Sequence, residues 1–126
     1  MKKIFIILGI LCLSAGLAFS SESDSKDDTG DKAIELYNSG VAHMDKAKDI
    51  IAVGDSAFAY NYRATSDAKA TKEYEKAIVD FKDALKLKPD MKEAYNNLGY
   101  CYRKIGKLEL SYKNYMRALK FDPNFA

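Results

Sequence analysis

The chain has 126 residues, enough for one domain and a short tail, with 20 basic and 18 acidic side chains. Lys2 and Lys3 are the only charges in the first twenty residues, so without that segment 20 − 2 = 18 basic groups face 18 acids. That balance leaves no basic excess to drive nucleic-acid binding by phosphate neutralisation.

Taken in chain order, the first element is an export signal. Lys2-Lys3 supply the positive start, Ile4 to Leu13 are almost wholly apolar, and small residues follow at Ser14-Ala15-Gly16. The run is too short to span a bilayer, which takes roughly 20 apolar residues. Cleavage is expected after Ala18 or after Ser20, with Ser20 preferred, so residues 1–20 are read as a signal peptide and the mature protein as periplasmic or otherwise exported. A competing reading makes Cys12 a lipid attachment site. A bacterial lipobox resembles Leu-x-Gly/Ala-Cys, and here Leu11 stands where the small residue should be.

Residues 21–31 hold Ser, Asp, Glu, Lys, Thr and Gly with no large apolar side chain. Such a segment cannot offset its ordering entropy and is read as a disordered tail. The folded domain is expected over 32–126. Its first part reads as helix except at Val53-Gly54-Asp55-Ser56, where Gly can end one helix and Asp55 or Ser56 can cap the next. Apolar and small residues continue at Ile50, Ala57, Tyr60, Ala64, Ala68 and Tyr74. Two long helices are therefore expected, at about 32–53 and 57–88. The alternative is a long loop with a new helix starting near Ser66 or Thr71.

An internal repeat follows. Tyr74, Ala77, Phe81, Ala84, Leu85, Leu87 and Pro89 recur as Leu108, Ser111, Tyr115, Ala118, Leu119, Phe121 and Pro123, each pair offset by 34 residues. The spacing puts the apolar residues on one helical face, with proline just beyond, where it cannot continue the helix. The preceding helix, Ala94 to Tyr102, ends in a turn at Ile105-Gly106-Lys107.

Tyr95, Leu98, Gly99, Tyr102, Ser111, Tyr115, Ala118 and Pro123 together resemble the tetratricopeptide repeat (TPR), with Ser111 for Ala the one mild departure. In the first repeat, Gly40 takes the place of Gly99 and Asn38 that of Asn97, which leaves 25 extra residues between the two helices' signatures. The resemblance implies an all-α fold of two helical hairpins, the first with elongated helices, forming a fragment of a right-handed α-solenoid. It also implies an adaptor that binds a protein or peptide. In this family, helix-lining positions of the concave groove correspond here to Glu93, Asn96, Tyr100, Arg103 and Lys104, with Asn97 beside them. A carboxylate clamp of Lys and Asn is incomplete, because Tyr37 and Val41 stand at the matching positions of the first repeat.

No catalytic, metal or cofactor site is expected. His43 is the single histidine and matches the packing position of Tyr102, and one His without Cys or a second His makes no zinc site. Cys101, between Tyr100 and Tyr102, reads as a buried inert thiol. The glycines form no phosphate-binding loop. Solenoids of this kind are stabilised by about three repeats and a polar cap, whereas the sequence stops after Pro123-Asn124-Phe125-Ala126. Leu110, Tyr115 and Leu119 are therefore expected to offer an uncovered face for self-association or docking, the alternatives being a longer array of which this is a part, or a long first hairpin that supplies enough core alone.

Overall fold

A computed structural model describes residues 28–56 and 60–125 of the chain. The expected signal peptide, 1–20, with Cys12, and residues 21–27 of the expected tail lie outside these. Four helices follow one another: α1 (Asp28–Ser56), α2 (Tyr60–Leu87), α3 (Lys92–Lys104) and α4 (Leu108–Phe121). No strand occurs among the described residues. α1 packs along α2, α3 against α2, and α4 against α3, so the chain forms two successive hairpins, all-α and of the expected kind.

The first hairpin is long. α1 has 29 residues and α2 has 28, against 13 and 14 for α3 and α4. At 1.5 Å per residue, α1 and α2 are each roughly 40 Å long and α3 roughly 20 Å. The extra residues therefore continue both helices, and the alternative of a long loop with a fresh helix near Ser66 or Thr71 does not hold. Two boundaries differ from expectation. α1 begins at Asp28, four residues before the expected 32, with Asp28 and Asp31 in its first turn, where carboxylates favour the positive end of the helix. It also runs through Gly54 to Ser56, so Gly54 does not end it and Asp55 and Ser56 belong to its last turn.

Gly54 is tolerated inside α1 because the helices meet there. A Cβ at this position would lie 2.9 Å from the Ser66 Cβ on α2. Close approach continues down the hairpin through Ala47, Ala70, Ala33 and Ala77, all almost fully buried. Larger side chains fill the space between them: Met44, Tyr74, Ile78 and Phe81, joined by Met91, Leu98 and Cys101 from the second hairpin.

The two hairpins repeat one contact. A Cβ on Gly40 would sit 2.7 Å from the Phe81 ring, and one on Gly99 would sit 2.8 Å from the Tyr115 ring. Gly40 does take the role of Gly99, as the offset of Phe81 and Tyr115 implied. Ser111, where the repeat pattern asks for Ala, uses its hydroxyl: Oγ donates to the carbonyl of Gly99 at 2.7 Å in a buried position. The α3–α4 turn closes with Gly106 at φ +80 and with the Lys107 N–H donating to the Tyr102 carbonyl at 2.8 Å. That pattern caps the carbonyl end of α3 and requires a left-handed residue, which favours glycine. At the other end, Lys92 pairs with Asp122 and Tyr95 stacks on Phe121 at 5.7 Å, tying the end of α4 to the start of α3.

Candidate partner-binding surface

α3 carries the residues that sequence placed in the groove. Glu93 is exposed in its first turn. Asn96, Asn97 and Tyr100 are half-buried, and Arg103 and Lys104 are exposed in its last turn. Asn97 Nδ2 donates to the Tyr37 hydroxyl of α1 at 3.1 Å, so this residue bridges the two hairpins. Tyr37 itself lies against Phe81, with ring centroids 5.6 Å apart.

Tyr100 sits at the centre of the surface. Its ring meets Tyr74 of α2 edge-on at 6.1 Å. Three cations surround it: the Arg103 guanidinium at 5.4 Å, and the Lys48 and Lys104 ammoniums each at 5.5 Å from the ring centroid. Arg103 and Lys104 complement the carbonyl end of α3, but Lys48 comes from α1. Lys48 is paired with Asp45 at 2.9 Å, which raises its pKa against the opposing effect of burial. Arg103 and Lys104 make no ion pair with any described carboxylate. Glu93 stands about ten residues, roughly 15 Å, from these cations along α3 and is not part of the cluster.

Sequence reading found Tyr100, Arg103 and Lys104 but missed Lys48 and Tyr74. Lys48 was within reach: Tyr37 and Val41 mark the groove stripe of α1, and seven residues beyond Val41 the same helical face presents Lys48. It is found only once α1 is known to continue that far.

A polar network lies on the α1–α2 face. His43 Nδ1 contacts Glu73 Oε2 at 2.7 Å, Lys76 and Lys46 approach Glu73 Oε1 at 2.9 and 3.4 Å, and Ser39 donates to Asp80 Oδ2 at 2.7 Å. His43 therefore holds its expected place facing α2, as a polar partner and not as an apolar filler. Hydrogen bonds from Lys76 first, then His43, hold the Glu73 carboxyl down at about 2 against the effect of burial. A folded-state pKa below the unfolded one gives stability that is present above about pH 4.5 and is lost as pH falls towards 2. Glu73→Gln should thus cost about 1–2 kcal/mol at pH 7, shrinking as acid titrates the native protein. Urea midpoints of both proteins at pH 7, 4 and 2.5 check this; a constant gap would contradict it.

Burial pushes the Cys101 thiol up to about 12, in keeping with an inert side chain. Among the described residues no three His, Cys, Asp or Glu side chains come together as metal ligands, and no helix is long and apolar enough to cross a membrane.

The expected self-association face divides. Tyr115 is half-buried on Gly99 and Leu119 is half-buried, so neither shares an open face with Leu110. The exposed apolar stripe of α4 is instead Leu108, Tyr112 and Met116, with Leu108 67% and Tyr112 65% exposed. Tyr115 was misplaced because both sides of a short amphipathic helix carry apolar residues here. Leu110 lines a separate groove of about 360 Å³ between α2 and α4, floored by Leu98 and Tyr102 of α3.

The fold and the repeated glycine–aromatic contact define an all-α, TPR-like helical protein. Residues 93–125 match the family model for the tetratricopeptide repeat and residues 69–106 that for the TPR repeat, so the matched region spans most of α2 with the whole second hairpin. Repeats of this family mediate protein–protein interaction. Over 70 residues the chain is 39% identical to the tetratricopeptide repeat domain-containing protein PYG7, chloroplastic, of Arabidopsis thaliana. That alignment covers 56% of this chain and 23% of the relative, so the chain spans less than a quarter of that protein. No solved structure matches.

Proposed function

We propose that the chain is exported through its N-terminal segment and acts in the bacterial periplasm or cell envelope as an adaptor, holding a partner peptide or helix along α3. One observation carries this reading: Tyr100, Arg103 and Lys104 meet Lys48 of α1 on one surface, and the two exposed cations of α3 form no ion pair with a described carboxylate. The carbonyl end of α3 accounts for Arg103 and Lys104 but not for Lys48, which reaches the same ring from α1. Photo-crosslinking in intact cells tests it. A benzoylphenylalanine at Asn96 or Arg103 should give discrete adducts with another protein, whereas one at Lys82, on the α2 surface, should give few. Equal labelling at all three positions would contradict the assignment.

The exposed stripe Leu108, Tyr112 and Met116 favours a second reading, in which copies of the chain associate through α4. A crosslinker at Met116 then yields an adduct of twice the chain mass, and sedimentation shifts with concentration. A persistent monomer sinks it.

A further inference from the structure

The long hairpin and the short one differ in reach, and this creates a corner. α3 ends at Lys104, while α2 continues past its contact with Tyr100, from Tyr74 back to Tyr60. In the corner lies a cavity of about 370 Å³, walled by Ile51 of α1, by Asp67, Ala70, Thr71 and Tyr74 of α2, and by Lys104 of α3.

Two independent features of this corner point to a ligand. First, Arg103, Lys104 and Lys48 converge on the Tyr100 ring, with Asp45 pairing only Lys48. Gathered like charges repel, and an anion among them relieves that repulsion. Secondly, Tyr74 is 2% exposed, and its hydroxyl, although close enough to Tyr100 to feel it, makes no hydrogen bond of ordinary length and angle. A buried hydroxyl left unpaired costs about 1–3 kcal/mol, so an acceptor that reaches it is favoured twice. The half-buried Tyr100 ring lies against Tyr74, which itself lines the cavity.

Resting on the adaptor reading above, we infer that this corner binds an aspartate or glutamate side chain of an acidic segment of the partner protein. The carboxylate lies between Arg103 and Lys104 at the edge of Tyr100 and accepts a hydrogen bond from the Tyr74 hydroxyl. An adjacent side chain of the segment enters the cavity beside Ile51 and Ala70. Asp67 on the opposite wall repels a continuous line of negative charge, which selects a peptide with spaced acids over a nucleic acid or an anionic membrane surface. The lengthened first hairpin is what builds the site, because Lys48, Ile51, Asp67, Ala70 and Thr71 all belong to it.

Fluorescence anisotropy with the purified full-length protein tests this with defined probes: a short peptide of alternating Glu and Leu, its Gln/Leu counterpart, inorganic phosphate as competitor, and phosphatidylglycerol vesicles. The Glu/Leu peptide should bind, and the Gln/Leu peptide should bind at least tenfold more weakly. The Arg103→Ala/Lys104→Ala variant should lose about tenfold in affinity for the Glu/Leu peptide. Both residues are exposed, so the fold is unaffected. Tyr74→Phe should lose several-fold while its unliganded thermal stability does not fall. Equal binding of the two peptides, undiminished binding in the Arg103/Lys104 variant, or tighter binding of the vesicles or phosphate than of the peptide would each overturn the inference. If neutral peptides bind and crosslink to α3 while acidic ones do not, the adaptor reading stands and this inference falls. If no peptide binds and α3 gives no adducts, both fall.

Discussion

Replacing Phe81 by Ala should lower the unfolding free energy by about 3–5 kcal/mol, the usual cost of emptying a fully buried aromatic site. Phe81 has no exposure, packs on Gly40 and meets Tyr37, so it joins the two helices of the first hairpin at their tightest contact. A domain of this size has about 5–15 kcal/mol in all, and the variant should be partly unfolded at physiological temperature. Tyr115, which occupies the matching site of the second hairpin, is half-buried. Tyr115→Ala should therefore cost clearly less, about 1–2 kcal/mol. Urea denaturation followed by far-UV circular dichroism measures both, and equal losses would show that the two sites do not differ as their burial indicates.

The second large effect concerns the glycines that face these rings. In a helix interior Ala is intrinsically better than Gly by about 1 kcal/mol, so destabilisation by Gly→Ala isolates the steric term. At Gly40 the new Cβ meets the Phe81 ring, which is enclosed on all sides and cannot retreat. Gly40→Ala should cost about 1–3 kcal/mol, the usual penalty of overpacking. At Gly99 the new Cβ meets the Tyr115 ring down to its root, Cγ at 2.9 Å, but that ring is only half-buried, so Gly99→Ala should cost less than Gly40→Ala. Combining Gly40→Ala with Phe81→Leu should give a smaller loss than the sum of the two single changes, because the smaller side chain removes the clash. Strict additivity would mean that the glycine is not there for the ring.

The same contact shows what the sequence discloses. The 34-residue offset located Phe81 and Tyr115, and the Leu98-Gly99 pair located the approach of α3 to α4, because both are periodic features of one helical face. Gly40 was then placed by analogy, and the structure gives it the same neighbour. The exact extent of α1 was less legible. Gly54 followed by Asp55 and Ser56 has the local chemistry of a helix end, yet tertiary packing against Ser66 carries α1 across it. Local capping preference is worth about 1 kcal/mol, and the close packing of two long helices outweighs it.

The candidate site was half legible for the same reason. Tyr100, Arg103 and Lys104 lie on one short helix, where spacing alone fixes their face. Lys48 and Tyr74 join them only through the packing of α1 and α2 against α3, and no periodicity within one helix predicts which residue of another will meet it. The Tyr74 hydroxyl is a further case. Repeat alignment assigns Tyr74 a core position, which is correct for its ring and silent about its polar tip. Burial, followed by the polar interaction with the Tyr100 hydroxyl, pushes the phenol pKa up, so the hydroxyl keeps its proton. On α4 the sequence was least informative, because apolar residues occur both on the side packed against α3 and on the open side. Leu108, Tyr112 and Met116 could be told from Tyr115 and Leu119 only by seeing which of them meets Gly99.

Everything distinctive in this chain follows from the unequal hairpins: the corner beside Tyr100, the position of Lys48, and the reach of α2 beyond α3. Amide hydrogen exchange along α1 and α2 tests that inequality most directly. Unbroken slow exchange is predicted through residues 33–52 and 66–86, including the amides around the buried Ala47 and Ala70, with protection as strong there as around Phe81. Rapid exchange over 48–73, with protection confined to the parts of α1 and α2 beside α3, would contradict the lengthened hairpin and remove the corner it builds.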